Sequence, residues 1–169
     1  MKTSVKLFAL ALVLAGFGMN VNAQVSATAT SNATARIVSP ITIVKDVDMS
    51  FGNIVSSLTA GTVVLAPSSA GSRTGSTGVS LPTVTGTVTA SKFTVGGEAG
   101  LTYAISLPSS TTLSSGGDSM TLDAFTTDLP TGGIIGTSNI FFVGATLNVK
   151  SGQATGSYTG TFSVSVNYN

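Results

Sequence analysis

The sequence predicts an all-β fold of the antiparallel β-sandwich class. Apolar and polar residues alternate with period two along most of the chain, and no stretch keeps the 3.6-residue period of a helix. Short alternating runs are separated by Gly, Pro, Asn and Ser, and the composition is rich in Ser, Thr, Gly and Val. Because the chain has no Cys, packing and sheet hydrogen bonds must hold this fold without disulfides.

The first residues predict an export signal. Lys2 and Lys6 form a basic start, an apolar run covers residues 7–18, and Ala23 supplies the small residue that precedes a signal peptidase cut. The run falls short of the roughly 20 apolar residues that a membrane-spanning helix needs. The expected divisions are a signal peptide at residues 1–23, an N-terminal extension at 24–32 and a sandwich domain at 33–169. We expect export to the periplasm, the cell surface or the exterior of a Gram-negative bacterium, with no membrane span after signal removal.

The individual strands follow from the same alternation. Odd positions from Val25 to Ile37 are apolar or small, and after Pro40 the odd register resumes at Ile41 and ends at Phe51. Further strands are predicted, in order, at residues 62–66, 84–90, 93–95, 101–107, 120–124, 141–149 and 158–168. Stretches rich in Gly, Pro, Ser and Thr predict loops at residues 68–78, 108–117 and 126–139.

The residue types that are missing argue against catalysis. Without His or Cys, the common catalytic triads and the usual zinc sites cannot form. A hydrolase based on carboxylates would need Asp118, Asp123 and Asp128 to meet in one cleft, and their spacing gives no reason to expect that. We therefore predict no enzyme activity, no metal and no cofactor. Charged residues make up only 8% of the chain, which gives no electrostatic footprint for nucleic acid.

The last strand has unusual features. Residues 151–169 contain no charge and no Pro, and residues 158–168 would extend about 36 Å at roughly 3.3 Å per residue. One face carries Tyr158, Gly160, Phe162, Val164, Val166 and Tyr168. Natural edge strands are usually blunted by Lys, Pro or bulges. Two interpretations remain open: a central core strand that needs no protection, or a strand left free for a partner to add to.

The N-terminal extension favours the second interpretation. Val25, Ala27 and Ala29 keep a strict alternation, but such small side chains contribute little core area. A strand of this kind suits insertion into a narrow groove of another chain. The alternative is a flexible linker over residues 24–32.

Four segments carry a resemblance to a known family. They are Ala33-Thr34-Ala35 through Ile41 to Phe51-Gly52, then Phe93-Thr94-Val95-Gly96-Gly97-Glu98-Ala99-Gly100-Leu101-Thr102-Tyr103, then Val143-Gly144-Ala145-Thr146-Leu147, and Gly156-Ser157-Tyr158-Thr159-Gly160-Thr161-Phe162 to Tyr168. Together they resemble the uncharacterised bacterial family called domain of unknown function 4402. That family is similar in layout to spore-coat-U-type and chaperone–usher pilin subunits.

The resemblance to pilins implies an immunoglobulin-like antiparallel β-sandwich that a donated strand completes. In pilins a periplasmic chaperone, and then the N-terminal extension of the next subunit, supplies that strand. Tyr168 in the penultimate position and Gly156, fourteenth from the end, match features common in pilin subunits. The chain departs from those subunits because it lacks their usual disulfide and has a short extension.

We therefore expect an exported cell-surface or pilus-like structural subunit that associates by β-strand addition. The expected partners are copies of itself or related subunits, and a periplasmic chaperone. Val25, Ala27 and Ala29 would be donated, and the apolar face of residues 158–168 would line the groove. The alternative function is a self-sufficient surface adhesion or glycan-binding β-sandwich module, with residues 68–78 and 126–139 as its binding loops.

Overall fold

The computed structural model describes residues 26–137 and 139–169, and the chain divides into two compact units, Met1–Arg36 and Ile37–Asn169. In the first unit, the described residues 26–36 are all exposed and none lies in a strand. Ala27 and Ala29 are among them, whereas Val25 and the predicted signal peptide lie outside the described residues. The strand predicted from Val25 to Ile37 is absent over its described part, since alternating methyl groups bury little area. Over the same described ranges, no helix has the length and apolar character needed to cross a membrane.

The second unit consists of short antiparallel strands, and the prediction of an all-β sandwich is confirmed. Within the described residues the strands are β1 Thr42–Val47, β2 Ser50–Phe51, β3 Val55–Ser56, β4 Gly61–Leu65, β5 Arg73–Gly75, β6 Val79–Ser80, β7 Val88–Thr89, β8 Ser91–Gly96, β9 Thr102–Ser106, β10 Ser110–Ser115, β11 Asp118–Thr127, β12 Gly133–Ile134, β13 Ile140–Val149 and β14 Ser165–Tyr168. Most coincide with the alternating runs of the sequence.

Seven strands form one large sheet, in which β1, β8, β13, β11 and β10 follow one another and β4 and β5 branch from β13. β13 is the centre of this sheet. One of its edges pairs with β11, and the other pairs first with β8 and then with β4. The neighbour changes at Gly144, where an added Cβ would lie 2.1 Å from the carbonyl oxygen of Leu65. The absence of a side chain at this position therefore lets the end of β4 approach β13.

A second sheet, of order β12-β9-β14, packs on one half of the large sheet. The core between them is formed by Phe93, Val95, Tyr103, Ile135, Phe141, Val143 and Val166. Phe93 and Phe141 lie directly opposite each other on β8 and β13, and their rings stack with centroids 5.3 Å apart. This half of the unit is a sandwich of two hydrogen-bonded sheets.

The other half of the large sheet has a different cover. Its core cluster consists of Phe51, Val63, Leu65, Met120, Leu122, Ala145, Leu147 and Val149. Met49, Ile54 and Tyr158 pack against this cluster from irregular segments and remain partly exposed. The second sheet does not extend over this half, which is covered by residues 48–56 and 153–162. Within residues 48–56, β2 pairs with β7 and β3 pairs with β6, as two separate two-stranded sheets.

Several local predictions are wrong, and of the strand predicted at residues 84–90 only β7 forms. Residues 110–115, predicted as part of a loop, form β10 and pair with β11 through the turn at Gly116. Ser and Thr fill most of this strand, so it carried little apolar signal. The terminal strand predicted over residues 158–168 is hydrogen-bonded as a strand only in β14, with one isolated bridge at Thr159.

Candidate functional site

The C-terminal segment runs along the outer edge of two strands that belong to different sheets. Thr159 exchanges two backbone hydrogen bonds with Ser114 on β10, at 2.8 and 3.0 Å. Further along, the Thr111 hydroxyl donates to the carbonyl oxygen of Thr161 at 2.7 Å. β14 then pairs with β9, so the segment changes from one sheet to the other between these contacts. One edge of the segment is therefore held along most of its length.

The opposite edge of this segment is open. Thr159 and Thr161 direct main-chain groups toward β10, and the amide of Asn169 donates to Thr102 beside β9. Because successive residues of an extended chain direct their main-chain groups to alternate sides, those of Phe162 and Val164 point away from both strands. No backbone-to-backbone hydrogen bond joins residues 160–164 to another segment within the described part of the chain. The open edge thus presents unused donors and acceptors.

Two glycines allow the segment to lie close to β10. A Cβ at Gly160 would meet the carbonyl oxygen of Thr112 at 2.3 Å, and one at Gly156 would meet the Ser115 hydroxyl at 2.4 Å. Between them, the Tyr158 hydroxyl donates to the carbonyl oxygen of Ala154 at 2.8 Å. Side chains at the two glycine positions would push the segment off the sheet.

A bulge in β11 places an aromatic side chain against the C-terminal segment. The register of β11 on β13 shifts between Asp123 and Thr126, and Ala124 takes a positive φ of 44°, which is rare for a residue with a side chain. The bulge turns Ala124 outward and Phe125 inward. The Phe125 ring then contacts that of Phe162, with centroids 4.9 Å apart. Strain in β11 is therefore accompanied by an aromatic contact that holds the C-terminal segment.

An open slot separates the C-terminal rim, residues 153–162, from the N-terminal rim, residues 48–56. The slot has a volume of about 1060 Å³. Its floor is the inner face of the large sheet, formed by Phe93, Leu113, Met120, Leu122, Leu147 and Val149. Its two rims contribute apolar side chains such as Met49, Ile54 and Phe162. The slot is therefore an open groove above an apolar core whose residues are themselves already buried.

The two edges that face each other across this gap are hydrogen-bonded to each other at one end of the slot. At one end the amide of Gly152 donates to Ser57 at 2.8 Å, and the Ser56 hydroxyl donates to the carbonyl oxygen of Gln153 at 3.0 Å. Beyond that end, no backbone-to-backbone hydrogen bond joins residues 40–55 to residues 154–168 in the described chain. The width of the gap is thus not fixed by sheet pairing.

Tyr168 holds the end of the chain, beyond the residues that line the slot. Its hydroxyl accepts a hydrogen bond from the amide of Glu98 at 2.7 Å and donates to the carbonyl oxygen of Ser39 at 2.8 Å. One phenol therefore joins the C-terminal strand, the connection after β8 and the segment that precedes β1. The penultimate Tyr has a structural contact that the sequence could not specify.

Charges near the slot are few and paired. Lys45 and Asp48 line the N-terminal rim, and they form an ion pair with each other. Asp46, on the same strand, accepts the Thr94 hydroxyl at 2.6 Å and lies 3.7 Å from the Lys92 ammonium. The C-terminal rim carries no charged residue. The slot is consequently suited to an uncharged surface.

The titratable groups with shifted pKa values do not line the slot. Burial lowers the pKa of Arg73, while burial and then the negative charge of Asp128 raise the pKa of Tyr103. Asp128 itself accepts the amide of Phe142 at 2.7 Å. Among the described residues, no three acidic side chains come together as a metal site would require. The arrangement at the slot can bind a surface, and it presents no chemically activated group.

The structure brings together part of the predicted site. Tyr158, Gly160, Phe162, Val164, Val166 and Tyr168 all lie along the C-terminal segment, and all except the exposed Gly160 are buried or half-buried. Ala27 and Ala29 belong to the other compact unit. Sequence reasoning missed the N-terminal rim and the hydrogen bonds at Ser39 and Gln153. The sequence signal for this rim was the apolar alternation that ends at Phe51.

The loops assigned to a binding role are used within the fold. Residues 68–78 contain β5, and the Arg73 guanidinium donates to the carbonyl oxygens of Phe51 and Thr85. Residues 126–139 contain β12, and Ile135 at its end is buried in the core. Arg73 therefore braces the N-terminal rim of the slot.

Comparison with known proteins gives one match. The family described as Domain of unknown function (DUF4402) matches residues 41–168, which include the whole of the slot and both of its rims. No curated protein and no solved structure matches the chain.

Proposed function

The chain belongs to the DUF4402 family, a domain of unknown function, and from this premise and the open slot we propose that it is an exported structural subunit that associates by β-strand addition. The observation that carries the proposal is the edge of the C-terminal segment without backbone pairing, beside a slot lined mainly by apolar side chains. An added strand would bond to this edge and cover the floor at the same time.

This edge lacks the residues that usually block pairing, and that lack supports the same function. Natural sheets protect open edges with Lys, Pro or bulges, because an unprotected edge pairs with other chains. Residues 151–169, which include the C-terminal rim, contain no Lys and no Pro. A binding edge must remain free of them, since a charge or a missing amide would prevent the added strand from pairing.

The predicted signal peptide supports export to the periplasm, the cell surface or the exterior. Strand addition joins subunits through main-chain hydrogen bonds, so it does not require the Cys residues that this chain lacks. We propose copies of the chain, related subunits or a periplasmic chaperone as the source of the strand. The exposed extension that holds Ala27 and Ala29 is the segment of this chain available for donation.

A binding function without partner strands has weaker support. The candidate loops are engaged by β5, β12 and the contacts of Arg73, so their conformation is explained by the fold itself. The two charged residues that line the slot, Lys45 and Asp48, are paired with each other. We therefore propose a structural role rather than an enzymatic one.

The experiment that tests this function removes one main-chain donor from the open edge. Val164→Pro removes an amide that makes no backbone hydrogen bond, and Val164→Ala shortens the same side chain while keeping that amide. Each variant is produced from the full sequence in cells, and its association is measured by size exclusion of the extracted protein. We expect the Ala variant to remain in assemblies and the Pro variant to be monomeric, with similar melting temperatures. Equal association of the two variants would show that the edge is not used.

A further inference from the structure

We propose that the Arg36–Ile37 peptide bond is a processing site, at which an endoprotease that cleaves after Arg removes the residues up to Arg36 and with them the N-terminal extension. The reaction is a hydrolysis. Water adds across the bond, so the C–N bond breaks, Arg36 gains a carboxylate and Ile37 becomes a new N-terminus with an ammonium group. Accessibility, side-chain specificity and position in the fold support the site, and only its consequence for assembly rests on the strand-addition function above.

The chain on both sides of this bond is accessible. Residues 26–40 are all exposed and none lies in a strand, and Ile37 is 97% exposed. Within the described part of the chain, no backbone-to-backbone hydrogen bond joins residues 33–35 or 37–38 to another segment. An endoprotease binds its substrate as an extended chain, whose main-chain groups must be available to pair with the enzyme. Exposed segments without such pairing are therefore the preferred sites of cleavage.

The chain becomes anchored just beyond the bond. The amide of Ser39 donates to the Glu98 carboxylate at 3.2 Å, and the Tyr168 hydroxyl donates to the carbonyl oxygen of Ser39 at 2.8 Å. Strand β1 begins shortly afterwards. Residues 37–38 thus separate the bond from the first anchored residue. A protease can reach the bond while β1 stays folded.

The side chain before the bond is rare in this chain. The sequence contains two Arg residues, Arg36 and Arg73. Arg73 lies in β5, which pairs with β4, and its guanidinium donates to the carbonyl oxygens of Phe51 and Thr85. Cleavage after Arg73 requires β5 to open first, and the rate is then reduced to the small population of the open form. Of the two bonds that follow Arg, the one after Arg36 is therefore much the faster to be cut.

The position of the bond preserves the folded domain. The second compact unit begins at Ile37, and the match to the DUF4402 family begins at residue 41. Every strand of the described chain lies after the bond, and so does every residue of the two core clusters. We therefore expect the shortened chain to keep the fold and the stability of the full chain.

Cleavage changes what the chain contributes to an assembly. The extension with Ala27 and Ala29 leaves, whereas the slot and the open edge of the C-terminal segment remain. Under strand addition, the uncut chain can both donate a strand and accept one, and the cut chain can only accept. A subunit that cannot donate can occupy only the end of an assembly. The fraction of cut chains would therefore limit the length of assemblies.

Limited proteolysis tests the site. The protein produced from the full sequence is treated with a protease that cleaves after Arg and not after Lys, and the products are identified by intact mass. We expect a product that begins at Ile37 and has an unchanged melting temperature, formed at least about tenfold faster than any cut after Arg73. Arg36→Lys is the matched control, because it keeps the charge and removes the specificity. Equal rates of cleavage after Arg36 and Arg73 would overturn the site.

Protein recovered from cells tests whether the site is used. N-terminal peptides are identified by mass spectrometry in surface protein from the bacterium that encodes this chain. We expect a fraction that begins at Ile37, and we expect Arg36→Lys to remove that fraction and to lengthen the assemblies. If all recovered protein of the unaltered chain retains residues 26–36, the inference is wrong.

The association of cut chains separates this inference from the function on which its consequence rests. If chains cut after Arg36 associate as well as uncut chains, whereas Val164→Pro abolishes association, the effect on assembly is wrong and strand addition holds with another donor. If neither the cut nor Val164→Pro changes association, strand addition is wrong, and the processing site is judged by the N-terminal peptides alone.

Discussion

β13 and the C-terminal segment look alike in sequence and differ in their hydrogen bonding. Both are long, uncharged and alternating, and in both the apolar face points inward. β13 pairs along both edges, with β11 on one side and with β8 and β4 on the other. The C-terminal segment is bonded along one edge only, at Thr159 and through β14.

The comparison distinguishes the burial of a strand's side chains from the hydrogen-bonded pairing of its edges. Period two reports which side chains face the core, because successive residues of a strand point to opposite faces. It carries no information on whether a second strand lies beside the first. A segment can therefore bury one face fully while its open edge remains available to a partner. Substitutions at matched positions test how much the two strands differ in packing and in freedom to move.

The largest expected difference concerns their aromatic side chains. Phe141 on β13 has no exposed surface, and Phe162 on the C-terminal segment is half-buried. Phe141→Ala should lower the free energy of unfolding by about 3–5 kcal/mol, as expected for a fully buried aromatic residue. Phe162→Ala should cost about 1–2 kcal/mol, because less of its area is buried. Urea denaturation of both variants measures the difference.

Leu58→Ala is the control for these substitutions, since Leu58 is 90% exposed and should change stability by less than about 0.5 kcal/mol. A cost for Phe162→Ala equal to that for Phe141→Ala would mean that the C-terminal segment is as firmly packed as β13. The distinction drawn between the two strands would then be lost.

The glycines of the two strands provide the next test. A Cβ at Gly144 would meet the carbonyl oxygen of Leu65 at 2.1 Å, and one at Gly160 would meet that of Thr112 at 2.3 Å. β13 is held on both sides and cannot shift, so Gly144→Ala should cost about 2–3 kcal/mol. The C-terminal segment can move toward its open edge, so Gly160→Ala should cost about 1 kcal/mol. Thermal unfolding of both variants decides the order, and the reverse order would contradict the open edge.

The most local expected effect comes from the hydroxyl of Tyr168. Tyr168→Phe removes hydrogen bonds to Glu98 and Ser39 and should cost about 1 kcal/mol. Tyr158→Phe is the matched control, because its hydroxyl bonds within the C-terminal segment, to Ala154 and Gln153. We expect only the Tyr168 variant to speed amide exchange at Glu98. If both variants leave that amide unchanged, the phenol does not hold the connection after β8.

Much of the fold could be predicted from the sequence. The class, the burial of β13 and the inward face of residues 158–168 follow from period-two alternation alone. Strand β10 could not be predicted, because Ser and Thr fill most of its positions and it is stabilised by its neighbour β11. The exchange of Ala124 for Phe125 on the inner face could not be predicted either, since the bulge that causes it leaves no apolar pattern.

The candidate site was only half predictable for a physical reason. The C-terminal rim follows from the uncharged alternation that ends at Tyr168, whereas the N-terminal rim forms the other side of the slot only because of tertiary packing. The second sheet ends before it covers Met120 and Leu147, and nothing local in the sequence states how far a sheet extends. The size of the gap, and hence the size of its occupant, requires the structure.

Amide hydrogen exchange tests the open edge most directly. In the protein without an added strand, the amides of Phe162 and Val164 should exchange rapidly, while those of Val143 and Leu147 on β13 should exchange slowly, because only the latter lie in a strand that is paired along both edges. Slow exchange of Phe162 and Val164 in the protein alone would contradict the account.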